Sequence, residues 1–305
     1  MLFMVNHNFP HDLDIKPSVD LLGLQSQPGD QILFGLNAQR ETIARYGIAG
    51  RVWEAAYALL LYVDPPPTWE FDPPFLESPH SSQYTMVELG SGTGIIARSL
   101  SRSLTSGKDI IVSTDLPEVC PLLDENLRGE LNGVVFVRPL TWGNFQHVSD
   151  IASEFMANRN MSHIICSDLV YFPELLAPLL RTLIHLTSPS VTSSSPSLII
   201  SYKIRSLEKE TPFWTAFGLY FSFQPVLSRC RFTDSEQHDQ SWQRLGSSFE
   251  DTTFIFVARR RPDSFAWQIP TNDHDLLAGV GALGTDTPKG DEYFESLLLM
   301  TMDDS

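Results

Sequence analysis

The run Val87-Glu88-Leu89-Gly90-Ser91-Gly92-Thr93-Gly94 is the part of this 305-residue chain best equipped for chemistry. It follows an apolar stretch and opens a helical pattern. Glycines at such a junction let the backbone turn sharply and come close to a ligand. The helix that follows starts with N–H groups that have no partner inside it. Asp115 lies 21 residues beyond Gly94, at the end of the next apolar run. A carboxylate at that place receives ribose hydroxyls in a doubly wound sheet. A dinucleotide fingerprint reads G-x-G-x-x-G. Here the third glycine comes one residue early, and Ile95 holds the dinucleotide position. Glu88, two residues before the first glycine, would oppose a pyrophosphate. S-adenosylmethionine carries an ammonium and a sulfonium but no phosphate, so it tolerates that acid. The layout predicts a ligand of this kind and leaves a dinucleotide as the weaker alternative.

Other residue types add little chemistry of their own. Cys120, Cys166 and Cys230 are odd in number and widely spaced, with no C-x-x-C pair. That predicts neither a disulfide framework nor a cysteine-based zinc site. The eight histidines have no ligand spacing; His7 and His11 are four apart, but Pro10 stands between them. No metal site and no nucleophile–base triad is expected.

The elements that must position the glycine loop form a βα alternation. Strands are expected over 84–89, 109–114, 134–137, 163–167, 198–202 and 253–257. Helices are expected over 95–104, from Pro117, over 178–186 and over 212–221. A further helix, broken near Gly47 and Gly50, is expected over 43–61. Nearly continuous apolar strands alternating with helices imply a sheet covered on both faces. Residues 1–38 read as a partly irregular extension and 39–262 as the main domain. Residues 263–305 hold nine acids against one base and four glycines, and read as a flexible acidic tail. The low-complexity stretch 187–197 and the Pro/Ser-rich stretch 65–82 read as loops, the former flexible.

Apolar residues make up 42% of the chain, enough for a sizeable core. The net charge of −16 leaves no general footprint for nucleic acid and favours a basic partner. The longest uninterrupted apolar run, 55–63, is far short of the ~20 residues of a membrane-spanning helix. Met1-Leu2-Phe3-Met4 lacks a basic flank and a cleavage pattern, so no signal peptide is expected. A cytoplasmic or nuclear monomer is the simplest expectation.

Residues from roughly 50 to 258 resemble the class I, seven-strand methyltransferases. More narrowly they resemble the protein-lysine methyltransferase group that modifies chaperones, AAA ATPases and elongation factors. Four blocks carry the likeness: Arg51-Val52-Trp53-Glu54-Ala55-Ala56, the glycine run, Leu140-Thr141-Trp142-Gly143 and Ser167-Asp168-Leu169-Val170-Tyr171. The glycine run is shared by many methyltransferases; the other three are more specific to this group. The resemblance implies a Rossmann-like α/β fold with a mostly parallel seven-strand sheet and an antiparallel last strand. It implies S-adenosylmethionine as cofactor and a protein lysine as acceptor. Trp53 would lie against the cofactor, and Gly90, Ser91 and Gly92 would pass beneath it, with Glu88 behind them. Asp115 would take the ribose, Trp142 the adenine, and Ser167 would touch the cofactor from the fourth strand. Small neutral residues, often alanine, are common at that last position, so Ser167 is a mild departure. Asp168 is expected to orient the acceptor amine and Tyr171 to shape its channel, with Phe172, Tyr202, Phe213 and Trp214 as further candidate walls. Lys203 and Arg205, past the fifth strand, read as surface charges or as substrate contacts. A small-molecule amine acceptor, or a silent fold used for binding, would share the same cofactor loop.

Overall fold

The computed structural model describes residues 14–19, 28–76, 83–130, 133–231, 241–245 and 253–300. The expectation for Met1–Met4, and most of that for 1–30, lies outside them. In chain order the elements are α1 (Pro28–Phe34), α2 (Leu36–Tyr46), α3 (Glu54–Val63), β1 (Trp69–Asp72), β2 (Thr85–Leu89), α4 (Ile95–Ser101), β3 (Ile110–Asp115), α5 (Cys120–Asn126), β4 (Val135–Pro139) and α6 (Phe145–Phe155). There follow β5 (His163–Ser167), α7 (Pro173–Leu186), β6 (Ser197–Lys203), α8 (Leu207–Tyr220), β7 (Phe221–Pro225), β8 (Leu227–Cys230), β9 (Gln243–Arg244), β10 (Thr253–Arg260), α9 (Asp273–Leu277) and α10 (Tyr293–Met300).

Seven strands form one sheet in the order β4-β3-β2-β5-β6-β10-β7, and β1, β8 and β9 form a small second sheet. Parallel pairing joins β4, β3, β2, β5 and β6. β10 runs antiparallel to both neighbours. This is the doubly wound, mostly parallel sheet with an antiparallel last strand. Alternation along each strand feeds two cores. Val87, Val112, Ile164, Leu198 and Phe256 pack against α6, α7 and α8. Met86, Ile111, Ile165, Ile199 and Ile255 pack against α3, α4 and α5. The strand order reverses direction at β2, and the carboxyl ends of β2, β3 and β5 open there onto one crevice, the usual ligand position in such sheets.

Several expectations are corrected. The 263–305 segment is not a flexible tail through residue 300. Leu276, Ala282 and Phe294 are fully buried, and the Phe294 ring stacks on Trp214 at 4.8 Å. Acidic composition masked a sparse set of apolar anchors, whose burial is enough to hold the segment on α8. The boundary at residue 38 falls inside α2; Phe34 is buried in the core that holds α3, and the buried Gln39 donates to Phe34 O and Ser18 O and accepts from Val52 N. The 187–197 loop buries Val191 and Thr192. α7 and α8 each begin five residues before the proline expected to start them, so Pro178 and Pro212 sit inside. α6 was not expected, although Val148, Ile151 and Phe155 recur at helical spacing and bury one face; its start is capped by Asn144, whose side chain accepts from Gln146 N and His147 N.

Candidate active site

The loop between β2 and α4 is tied down by its neighbours. Ser91 N donates to Thr114 O at 2.9 Å. Thr114 N donates to Ser91 Oγ at 3.1 Å. Gly90, Gly92 and Gly94 have φ of +56°, +54° and +80°, in the left-handed region that favours glycine. A Cβ on Gly90 would stand 2.7 Å from Leu169 Cδ2 and 3.1 Å from Trp142 Cζ2. The second clash follows from the approach of Trp142 to the loop.

Asp115 ends β3 beside this loop. Its Oδ2 accepts from Gly92 N at 2.8 Å, and its Oδ1 accepts from Leu116 N at 2.7 Å. Burial pushes its carboxyl up to about 6, against the pull of those two N–H groups. Glu88 is only 1% exposed and accepts from Ser113 Oγ at 3.2 Å. Burial dominates there too and pushes it up to about 8. At neutral pH Glu88 is therefore mostly a neutral acid behind the loop, and Asp115 is the carboxylate left charged to receive hydroxyls.

A cavity of about 740 Å³ opens over the loop, and the residues expected to bind the cofactor or orient the acceptor line it: Trp53, Glu88, Gly90, Ser91, Gly92, Asp115, Trp142, Ser167, Asp168 and Tyr171. Ser167 Oγ accepts from Ser201 Oγ at 3.2 Å. Trp53 precedes α3 and donates its Nε1 to Ile48 O at 3.0 Å, which fixes the ring plane. Phe172 also lines the cavity, and burial holds the Tyr171 phenol well above its ordinary range. Tyr202, Phe213 and Trp214 do not reach it. They are fully buried between the sheet, α8 and Phe294, where their area contributes to the core instead.

Asp168 departs from expectation. It does not offer a free carboxylate to an amine, because Arg205 already holds both oxygens, Nη1 to Oδ1 at 2.6 Å and Nη2 to Oδ2 at 2.5 Å. Its side chain is 0% exposed and its φ is +61°, unusual for a residue other than glycine. A buried carboxylate is retained only when paired. Arg205, read from the sequence as a surface charge or a substrate contact, lines the cavity, and Glu210 is the functional candidate that sequence reading passed over. Glu210, itself buried, accepts from Tyr202 Oη at 2.5 Å, Arg205 N at 3.2 Å and Ser206 N at 3.1 Å. Arg205 lies just past the strand end, the one positional hint available.

The cradle fits S-adenosylmethionine: a glycine loop with room above it, a carboxylate at the ribose position and an aromatic wall at Trp142. Among the described residues no group of three His, Cys, Asp or Glu side chains is arranged to hold a metal ion.

The strand order and this cradle define a seven-strand, class I methyltransferase. A family model described as lysine methyltransferase matches residues 34–217, so the chain belongs to the lysine methyltransferase family. It is 30% identical to the EEF1A lysine methyltransferase 3 of Mus musculus over 151 residues, 49% of this chain and 55% of that protein. It is 26% identical to the protein N-lysine methyltransferase METTL21A of Xenopus tropicalis over 184 residues, 59% and 72% of the two chains. The match thus spans about half of the first relative. An O-methyltransferase structure from Bacillus cereus in complex with SAH aligns over 77% of this chain and 91% of that one, at 14% identity and a TM-score of 0.43.

Proposed function

We propose that this protein is an S-adenosylmethionine-dependent methyltransferase acting on a lysine of another protein. One observation carries the reading: a glycine loop and Asp115 meet at the floor of an aromatic-walled cavity that runs on to Tyr171 and Arg205. When bound, the cofactor supplies a methyl group on a sulfonium, and no protein nucleophile or metal is needed. The chain's own task is to hold and orient. Gly90, Ser91 and Gly92 leave room beneath the methionine and ribose part, Asp115 receives the hydroxyls, and Trp53 and Trp142 form walls. Positioning of this kind is worth ~7–11 kcal/mol of a barrier. The acceptor nitrogen must arrive with a lone pair. At pH 7 that costs roughly 4–5 kcal/mol for an ordinary lysine, and the apolar rings of Tyr171, Phe172 and Trp53 lower the cost by desolvation. The acceptor's proton would go to water, and the freed lone pair would take the methyl group while the C–S bonding pair would stay on sulfur.

The net charge of −16 supports an acceptor protein with a basic surface. The three free cysteines support a reducing compartment, cytoplasm or nucleus. We take the working unit to be a monomer that binds no nucleic acid. The test is transfer from methyl-tritiated cofactor into a soluble cell extract, split into protein and metabolite fractions, with mass spectrometry of any labelled band. Label on a lysine of a protein band is the expected result. Label confined to metabolites overturns it in favour of a small-molecule acceptor.

A further inference from the structure

We propose that Arg205 is a positioning residue for the acceptor: its guanidinium cancels the charge of Asp168, so that the cavity receives the amine neutral instead of as an ammonium. The inference rests on the methyltransferase reading and adds how the site selects a reactive nucleophile. Asp168 alone would be a desolvated anion on the cavity wall. It would hold a lysine ammonium tightly and raise its pKa, since a nearby opposite charge favours the charged form. An ammonium has no lone pair to give. Arg205 takes both carboxylate oxygens, and a guanidinium stays charged at every pH at which an enzyme works.

The surrounding groups keep Arg205 in place. Glu54, from α3, lies 3.4 Å from its Nη2 and also pairs with Arg51. Glu210, from α8, fixes its backbone N–H. The Trp53 ring lies 5.1 Å from the Arg205 guanidinium and 4.3 Å from that of Arg51. Lys203 donates its backbone N–H to Asp168 Oδ1 at 3.4 Å. Lys209, Glu174 and Tyr171 complete the titratable groups on that wall, Glu174 exposed at its edge. Burial opposes the Arg205 cation, but Asp168, Glu54 and Glu210 offset it and its pKa stays raised. Removing this one cation leaves Asp168 without its partner, with Glu54, Glu210 and Glu174 nearby against Arg51 and Lys209, and tips the wall towards holding an ammonium.

The experiment measures tritium transfer into the protein fraction of a soluble cell extract from pH 6 to 10, with cofactor saturating and extract diluted in series. Wild type is compared with Arg205→Met, Asp168→Asn and the double variant. Affinity for S-adenosylhomocysteine is read by calorimetry. Arg205→Met should lower the apparent KM, lower kcat at pH 7 about 10-fold, and move the acid limb of the rate profile up by about one pH unit, a pKa shift ordinary for one adjacent charge. Asp168→Asn, which leaves the cation unpaired, should move the limb the other way and raise KM. The double variant should return it towards the wild-type position, with S-adenosylhomocysteine affinity within about 3-fold of wild type throughout. If Arg205→Met does not fold, the direction of the Asp168→Asn shift decides. Limbs that stay in place, a uniform loss at every pH, or loss of S-adenosylhomocysteine binding in all variants overturns the role and makes Arg205 structural. Absence of any protein labelling by wild type overturns the methyltransferase reading itself, and this role with it.

Discussion

At the residue scale the two carboxylates beneath the loop do different work. Asp115 faces the cavity and holds Gly92 N and Leu116 N. Replacing it with alanine should weaken S-adenosylmethionine binding at least ~10-fold, the ~1.4 kcal/mol or more of lost charge-assisted hydrogen bonds, as read by calorimetry. Glu88 instead lies behind the loop, and its value of about 8, against an ordinary 4.5, ties stability to pH. An acid whose pKa rises on folding binds its proton more tightly in the folded chain. Its contribution is therefore fully present below about pH 4.5 and is lost as pH climbs to about 8. Glu88→Gln should flatten that decline and raise the denaturant midpoint at pH 8 more than at pH 5. The difference should be on the order of a few kcal/mol. Equal midpoint changes at both pH values would show that Glu88 does not carry the effect. Asp115, at about 6, contributes a smaller slope of the same sign.

At the element scale the β2–α4 turn is set by its glycines and by what crowds them. Gly90→Ala combines a φ of +56° with a Cβ 2.7 Å from Leu169. Strain of this sort costs about 1–3 kcal/mol, and the added methyl must displace Leu169 and Trp142, both of which line the cavity, or shift the loop itself. Cofactor affinity should fall more than 10-fold. The circular dichroism spectrum should stay that of the folded chain. An unchanged affinity would mean that the loop does not form the cofactor floor. This turn was legible before any coordinates: Gly90, Gly92 and Gly94 stand between a strand and a helix, and both appear within a residue or so of their expected starts. The start of α7 was legible in Pro173 and Glu174 but passed over for Pro178, and that of α8 was hidden because Pro212 carries a strong local signal for a helix start. Burial of Leu176 and Glu210, each earlier in its helix than the proline, outweighs it.

At the scale of the whole molecule the C-terminal segment is part of the fold. Phe294 is 0% exposed and touches Trp214, Tyr202, Phe254 and Phe256. Arg261 pairs with Asp291 at 3.5 Å and donates to Gly218 O at 2.8 Å, closing the segment onto α8. Phe294→Ala should cost about 3–5 kcal/mol, the usual range for emptying an aromatic site in a core, seen as a lower denaturant midpoint. Removing everything after Arg261 should expose the aromatic cluster around Trp214 and give an aggregating or unfolded chain. A soluble truncation with normal cofactor affinity would contradict the packing described above.

By itself the sequence determined the local chemistry: a glycine turn between an apolar strand and a helix, a carboxylate one strand further on, and alternating elements that build a sheet covered on both sides. Those features are written in neighbouring residues, because turn geometry and hydrophobic period act over a few positions. Only the tertiary structure decided what each charge faces. Asp168 and Arg205 are 37 residues apart, and nothing in either neighbourhood announces that β5 and β6 deliver them to the same wall. The same holds for Phe294 under Trp214, where an acidic, glycine-bearing segment folds because a few apolar side chains find a face left open by α8. Pairing and burial depend on which surfaces meet, and that is a property of the assembled sheet, not of the chain read in order.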